Sequence, residues 1–325
     1  MPFVKYFNAI AEAVDEEMQR DERVFVVGED VGKWGGVWGT SRGLYQKYGA
    51  KRAVDAPISE SAIVGTAVGA ALTGLRPIAE IMYIDFITCA MDQVINQAAK
   101  LRLMSGNKLT LPLVIRTPAG CGTMEAAQHS QSLEAWFVHS PGLKVVMPYT
   151  VYDAKGLLKS AIRDDNPVLF IEHRCLYGRR EELPEGEILV PIGKAIVRRQ
   201  GGDVTVISYS RMLDFAIKAA EQLNNQISVE VIDLRTLVPL DVETIVRSVG
   251  KTRRALIVHE APVRCGFGAE IVRVLNENCF DSLVAAPKVI GGANIPIPYS
   301  PGLERSCIPQ TEDIVAEIKK LHAIS

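Results

Sequence analysis

The sequence predicts an α/β protein of two domains, a largely parallel-sheet domain followed by a smaller α/β domain. Three observations carry that prediction. Short apolar runs of strand length alternate with helix-period stretches, the pattern of strands covered by helices on both faces. The alternation breaks once, in the charged and polar run from Tyr177 to Pro191, and then restarts. A length of 325 residues, 48% apolar and 23% charged, suits two ordinary globular cores. The break divides residues 1–185 from residues 186–325, and no close internal repeat relates the two.

The elements follow in order. The N-terminal stretch reads as an amphipathic helix with Phe7, Ile10, Ala11, Val14 and Met18 on one side. Val24–Val27 is a buried strand ending in Gly28-Glu29-Asp30. A glycine-rich loop with Trp34 and Trp38 follows. Its glycines do not match GxGxxG and no phosphate lysine follows, so it reads as a mobile cover or a subunit contact. Arg52–Val54 is a strand, Ser61–Leu75 a helix, Pro77–Met82 a strand and Phe86–Met104 a helix. Leu113–Arg116, Lys144–Pro148 and Val168–Ile171 are further strands, with a helix from Tyr152 to Arg163. Beyond the break, strands are predicted at Asp203–Ser208, Val229–Leu234, Ala255–His259 and Val289–Ile290. Helices are predicted at Leu213–Leu223, Leu240–Val249, Gly268–Asn278 and Glu312–His322.

Composition excludes several classes. A net charge of −2 gives no electrostatic case for nucleic acid or a membrane surface. No run reaches transmembrane length, and the N-terminus lacks the charged-then-apolar layout of a secretory signal. The expected location is the cytoplasm, or an organellar matrix for a mature form. None of the six cysteines stands in CxxC spacing or beside a metal-spaced histidine, so buried thiols are expected rather than disulfides or zinc.

The stretch from Val54 to Gln93 organises the first domain. Asp55, Pro57 and Ser59 make a turn, with Ser59 as N-cap, and Glu60 stands where a strand hands over to a helix. That helix carries small residues, Gly65, Ala67, Gly69, Ala70, Ala71 and Gly74, which suit close approach to another backbone. By local pattern alone Glu60 reads as a first-turn glutamate favoured by the helix dipole. His129 lies in a polar loop with Gln128, Ser130 and Gln131. A lone histidine is more often structural than catalytic, but this one is not on an apolar helix face. Glu60, Met82–Phe86 and His129 all follow predicted strands, where ligands of parallel sheets lie.

Longer segments carry a resemblance. They are GED at Gly28–Asp30, PISESAIVGTAVGAALTGLRPIAEIM at Pro57–Met82, MDQVINQAAK at Met91–Lys100 and AAQHSQS at Ala126–Ser132. PGLKVVMP at Pro141–Pro148, DAKGLLKSAIRDDNPV at Asp153–Val168 and VIDLRTLVPLD at Val231–Asp241 complete the set. With these the chain resembles, essentially end to end, the β subunit of the thiamine-diphosphate-dependent decarboxylase component of 2-oxo acid dehydrogenase complexes. That family includes pyruvate, branched-chain 2-oxo acid and acetoin dehydrogenases. The resemblance implies a transketolase-like fold, with a pyrimidine-binding domain to about residue 180 and a C-terminal domain that mainly serves assembly.

It also implies roles. Glu60 matches the family's catalytic glutamate, which accepts a hydrogen bond from the cofactor's aminopyrimidine and so promotes loss of the thiazolium proton. Ile58, Met82 and Phe86 match residues lining that ring, and Glu29 lies near it. His129 matches an active-site histidine suited to proton delivery during acyl transfer to a lipoyl group. Leu113, Ala161, Ile162, Asp164 and Asn166 match a potassium site, though the turn before Pro167 reads equally as a polar helix ending. A GDG motif for diphosphate and magnesium is absent from the sequence. The resemblance assigns it to an α subunit, in an assembly of two α and two β chains docked on a lipoyl-bearing acyltransferase. This chain alone is then expected to be inactive. The expected substrate is pyruvate, with branched-chain 2-oxo acids and acetoin as alternatives. A stand-alone transketolase-like enzyme and a non-catalytic assembly subunit are the competing classes.

Overall fold

The computed structural model describes residues 3–324. They form two compact units: those up to residue 119 with 136–192, and residues 120–135 with those from 193 onward. The second unit therefore takes a loop that lies, in sequence, inside the first.

In the first unit, β1 (Phe3–Lys5) leads into α1 (Tyr6–Arg20), then β2 (Val24–Gly28), α2 (Leu44–Tyr48), β3 (Ala53–Asp55) and α3 (Glu60–Leu72). Next come β4 (Arg76–Glu80), α4 (Ile84–Ile87), α5 (Leu101–Met104) and β5 (Val114–Ala119). A short helix α6 (Glu134–Val138) precedes β6 (Lys144–Val146), α7 (Val151–Arg163), β7 (Val168–His173) and β8 (Arg180–Glu182). The main sheet of this unit runs β6-β7-β5-β4-β2-β3 with every pair parallel. Its strands are apolar nearly throughout, as a sheet covered on both faces requires.

Several expectations shift. The buried face of α1 is Tyr6, Ala9, Ile10, Ala13, Val14, Glu17 and Met18; Phe7 and Ala11 lie at its margin. The predicted helix from Phe86 to Met104 is broken into α4, a 3₁₀ turn at Thr88–Ala90, a π-helix at Asp92–Ala98 and α5. The run read as a linker contains β8, which pairs antiparallel with β1. Ser59 holds the N-cap position of α3 but its side chain makes no cap hydrogen bond. The C-terminus of α3 is a Schellman closure: Gly74 is at φ +97°, and the N–H groups of Gly74 and Leu75 donate to the carbonyls of Ala71 and Ala70. The small residues of α3 do not form one buried stripe. Ala67 and Ala71 are buried, Gly65 meets only the Gln93 side chain, and a Cβ on Gly69 or Gly74 would meet open space.

In the second unit, β9 (Ile196–Arg199), β10 (Val204–Ser208), α8 (Met212–Gln222), β11 (Val229–Asp233), β12 (Thr236–Val238) and α9 (Val242–Thr252) come first. Then follow β13 (Ala255–Pro262), α10 (Gly268–Cys279), β14 (Lys288–Gly292), α11 (Pro301–Ser306) and α12 (Thr311–His322). The sheet order is β14-β13-β10-β11-β9, with β9 antiparallel at the edge. The sequence reading missed β9, whose charged Arg198 and Arg199 mask a strand. Cys121, Cys279 and Cys307 are buried, Cys175 is half-buried, and Cys89 and Cys265 are exposed.

His259 on β13 is fully buried, its Nδ1 2.9 Å from the Ala261 carbonyl oxygen. Glycines make room for its ring: a Cβ on Gly268 or Gly291 would lie 2.8 Å from ring atoms. Burial pushes the pKa down to about 4 from 6.5. Between those values the unfolded chain binds a proton that the folded ring refuses. Stability is therefore full above about pH 6.5 and falls toward pH 4, by about 3 kcal/mol at the lower end. The urea midpoint of the second unit should follow that slope, and His259→Phe should flatten it. An unchanged slope in the variant would contradict this account.

No helix among the described residues is long and apolar enough to cross a membrane.

Candidate active site

Strands β4, β2 and β3 are neighbours whose carboxyl ends stand level, because Gly28 pairs with both Glu80 and Asp55. The winding of the sheet reverses at β2, with β3 on one side and β4 on the other, which is where ligands of open α/β sheets bind. Four candidate residues emerge from these three ends. Glu29 leaves β2, Met82 leaves β4 through Ile81, and the turn after β3 delivers Ile58 and then Glu60 as the first residue of α3.

Glu60 is half-buried at a helix N-terminus. The Glu29 carboxyl is raised above its ordinary value, first by burial and then by the charges of Glu60 and Asp30. Those two glutamates therefore share one electrostatic neighbourhood. Ile58 is 83% exposed, unusual for a large apolar residue beside a carboxylate. Phe86 packs edge-on against Tyr83 at 5.4 Å, and Tyr83 lies 6.0 Å from Trp38. The Arg174 guanidinium sits 4.8 Å over the Tyr83 ring.

Beneath this edge lies a buried ionic cluster that the sequence reading missed. Arg116, 2% exposed, donates to both oxygens of Glu172 at 2.9 and 3.2 Å and to Thr40 Oγ1 at 2.7 Å, and it also bonds Glu80. The Tyr177 hydroxyl donates to Glu172 at 2.7 Å. Burial raises the Glu172 carboxyl despite Arg116, and it raises the Tyr177 phenol. The signal was present: Glu80 on β4, Arg116 on β5 and Glu172 on β7 are charges in strands buried on both faces.

Thr40 ties the glycine-rich loop to that cluster. Asp55 holds the loop's near end, accepting from the Gly32 N–H at 2.6 Å. Gly35 and Gly36, both at φ +79°, make the bend where a side chain would collide with Arg42 or Ser41. Trp34 stands at the tip, 81% exposed.

The five potassium candidates gather at the end of α7. Arg76 donates to the carbonyls of Ile162 and Asp164, each at 2.9 Å. The Asp164 N–H donates to the Ala161 carbonyl, and the Val168 N–H to that of Leu113. The Asp164 carboxylate takes Lys144 and the Asn166 amide, and the Asn166 side-chain oxygen takes Arg102. Asp164 is held below the usual carboxylate range by its bonds to Lys144 and Asn166, which outweigh burial.

His129 belongs to the second unit. Its loop is closed at the neck by the Gly120 N–H donating to the Gln131 carbonyl at 3.0 Å. Met124 and Ala126 within it have left-handed backbones, φ 59° and 62°. His129 is half-buried. A cavity of 310 Å³ beside the loop is lined in part by Ser130, Leu133, Glu260 and Ile295. Ser130 is 2% exposed, and its hydroxyl has no hydrogen-bond partner among the described residues.

A carboxylate on a helix N-terminus at the switch point of a parallel sheet, followed by a second α/β unit, defines a transketolase-like class. Residues 4–180 match the family model described as transketolase, pyrimidine binding domain, and residues 193–314 that of transketolase, C-terminal domain. The chain is 46% identical to 2-oxoisovalerate dehydrogenase subunit beta of Bacillus subtilis, over 99% of both chains. It is 48% identical to the mitochondrial pyruvate dehydrogenase E1 component subunit beta of Bos taurus, over 96% of this chain and 89% of that one. It is 46% identical to acetoin:2,6-dichlorophenolindophenol oxidoreductase subunit beta of Cupriavidus necator, over 96% and 95%. A solved split-gene transketolase, an inactive β4 tetramer, superimposes with a TM-score of 0.82 at 22% identity over 99% of both chains, a likeness of fold. The chain belongs to the transketolase-like family of 2-oxo acid dehydrogenase E1 β subunits.

Proposed function

We propose that this chain is the β subunit of a thiamine-diphosphate-dependent pyruvate dehydrogenase of the acetyl-transferring type. It would act with an α subunit, decarboxylate the 2-oxo acid and pass the acyl group to a lipoyl-bearing acyltransferase. The observation that carries this reading is the half-buried Glu60 with the exposed Ile58 after β3, level with the ends of β2 and β4. The residues suit an aminopyrimidine: Phe86 and Ile58 offer apolar contact, Met82 a polarizable one, and Glu60 an acceptor for a ring N–H. Bound there, the cofactor would supply a carbon nucleophile and an electron sink. Glu60 would orient the ring and hold its proton. Burial, with the charges of Glu60 and Asp30, raises the Glu29 carboxyl above its ordinary value beside Glu60. His129 would deliver a proton to the lipoyl sulfur during acyl transfer. Residues 1–185 would present the pyrimidine side, and residues 186–325 chiefly the assembly surfaces. The exposed small residues of α3, with open space at Gly69, support a partner chain packed on that face.

The α chain would hold the diphosphate and magnesium. The test is dye-coupled oxidation of pyruvate, 3-methyl-2-oxobutanoate and acetoin, with and without the α chain. Activity on pyruvate that needs both chains is expected. Preference for either other substrate would reassign the enzyme within its family, and activity of this chain alone would overturn the shared site.

We propose that the turn after α7 takes a potassium ion through main-chain oxygens. The carbonyls of Leu113, Ala161, Ile162 and Asp164 each accept a hydrogen bond, and a carbonyl oxygen has two lone pairs. The Asp164 and Asn166 side chains are already engaged. Replacing choline by potassium at constant ionic strength should raise the melting temperature of the assembly by about 2–4 °C, the shift that about 1 kcal/mol produces in a chain of this size. Equal melting temperatures would remove potassium from the account.

A further inference from the structure

The loop that carries His129 is held by two carboxylates from the far end of the chain. Glu304 on α11 is 3% exposed, and its oxygens accept from the Gly122 N–H at 2.7 Å and the Met124 N–H at 3.1 Å. Glu260 on β13 accepts from the Cys121 N–H at 2.7 Å and from the Ser132 hydroxyl at 3.4 Å. Arg211 Nη1 donates to the Cys121 carbonyl at 2.7 Å and lies 3.8 Å from Glu260. The two carboxylates thus take three successive-region amides on one side of the loop and a hydroxyl on the other. Between those anchors Met124 and Ala126 sit in left-handed conformations that side-chain-bearing residues adopt only when their surroundings impose them. A buried carboxylate accepting main-chain N–H groups is a strong, directional restraint.

We infer that Glu304 and Glu260 are positioning residues for His129, so that the C-terminal unit sets the geometry of acyl transfer as well as serving assembly. The inference rests on the role proposed for His129. Losing the Glu304 carboxylate frees the Gly122 and Met124 amides and lets the strained segment relax, and His129 moves with it.

The experiment uses the assembled α and β chains carrying Glu304→Ala, Glu304→Gln or His129→Ala. Two half reactions are read, dye-coupled oxidation and reductive acylation of a free lipoyl domain, together with amide hydrogen exchange. Glu304→Ala should slow reductive acylation roughly 10- to 100-fold, the effect of a misplacement of about 1 Å, while dye reduction falls far less. Exchange should rise in peptides covering residues 120–132 and not in the strands of the first unit. Glu304→Gln keeps one oxygen acceptor and should recover part of both effects; it also serves if the alanine variant does not fold. Unchanged exchange in residues 120–132 would overturn the clamp whatever the activity. Faster exchange with equal loss in both half reactions would overturn the link to His129. His129→Ala without a selective loss of acylation would instead show that the reading of His129 had failed.

Discussion

Glu60→Gln should leave the chain folded and lower turnover of the assembled enzyme by roughly 10²- to 10⁴-fold, the range expected when a positioned acid–base group is removed. Folding should survive because Glu60 opens α3 at a half-exposed position and its side chain makes no hydrogen bond or ion pair among the described residues. Glutamine retains the shape and a carbonyl acceptor but not the charge. A carboxylate near a low-dielectric ring stabilises a developing positive charge far better than an amide does. Turnover within about threefold of the parent would take Glu60 out of the mechanism.

Arg116→Met should destabilise the first unit by about 3–5 kcal/mol, because it leaves the buried Glu80 and Glu172 facing each other without their cation. Both glutamates are nearly inaccessible, at 5% and 0% exposure. The same change removes the short Arg116–Thr40 bond and leaves Thr40 only its long bonds to Glu80, at 3.4 and 3.5 Å, which loosens the glycine-rich loop. All three tryptophans, Trp34, Trp38 and Trp136, fall in the first unit, so tryptophan fluorescence in urea reports on the surroundings of that unit. Adding Glu172→Gln should restore part of the loss, since it removes one of the stranded charges. A midpoint unmoved by Arg116→Met would mean that the cluster is not coupled to stability.

Most of the parallel sheet was legible because its strands are uninterrupted apolar runs between glycines and prolines. Val24–Gly28 and Val168–His173 differ from their predicted spans only at the ends. The winding order was not legible, since nothing in a strand states its neighbour. The switch point that explains why Glu29, Ile58, Glu60 and Met82 share one edge therefore emerged only from the register. The π-helix at Asp92–Ala98 was hidden because its composition is that of an ordinary helix. The glycines of α3 were read as suiting close approach to another backbone; within the described residues a Cβ at Gly69 or Gly74 meets no neighbour. Arg116, Glu80 and Glu172 were passed over as strand charges, although a charge in a strand buried on both faces needs a partner. Glu304 and Glu260 were beyond sequence reasoning altogether, since each lies more than a hundred residues from the amides it holds.

Deuterium exchange at the thiazolium carbon of thiamine diphosphate, bound to the assembled α and β chains, tests the central claim most directly. It reads proton release without substrate, lipoyl transfer or assembly on the core. With Glu60 intact, exchange should be fast and should require both chains. With Glu60→Gln and the cofactor still bound, it should slow at least about a hundredfold. Exchange at the parental rate in that variant would contradict the assignment of Glu60 as the group that activates the cofactor.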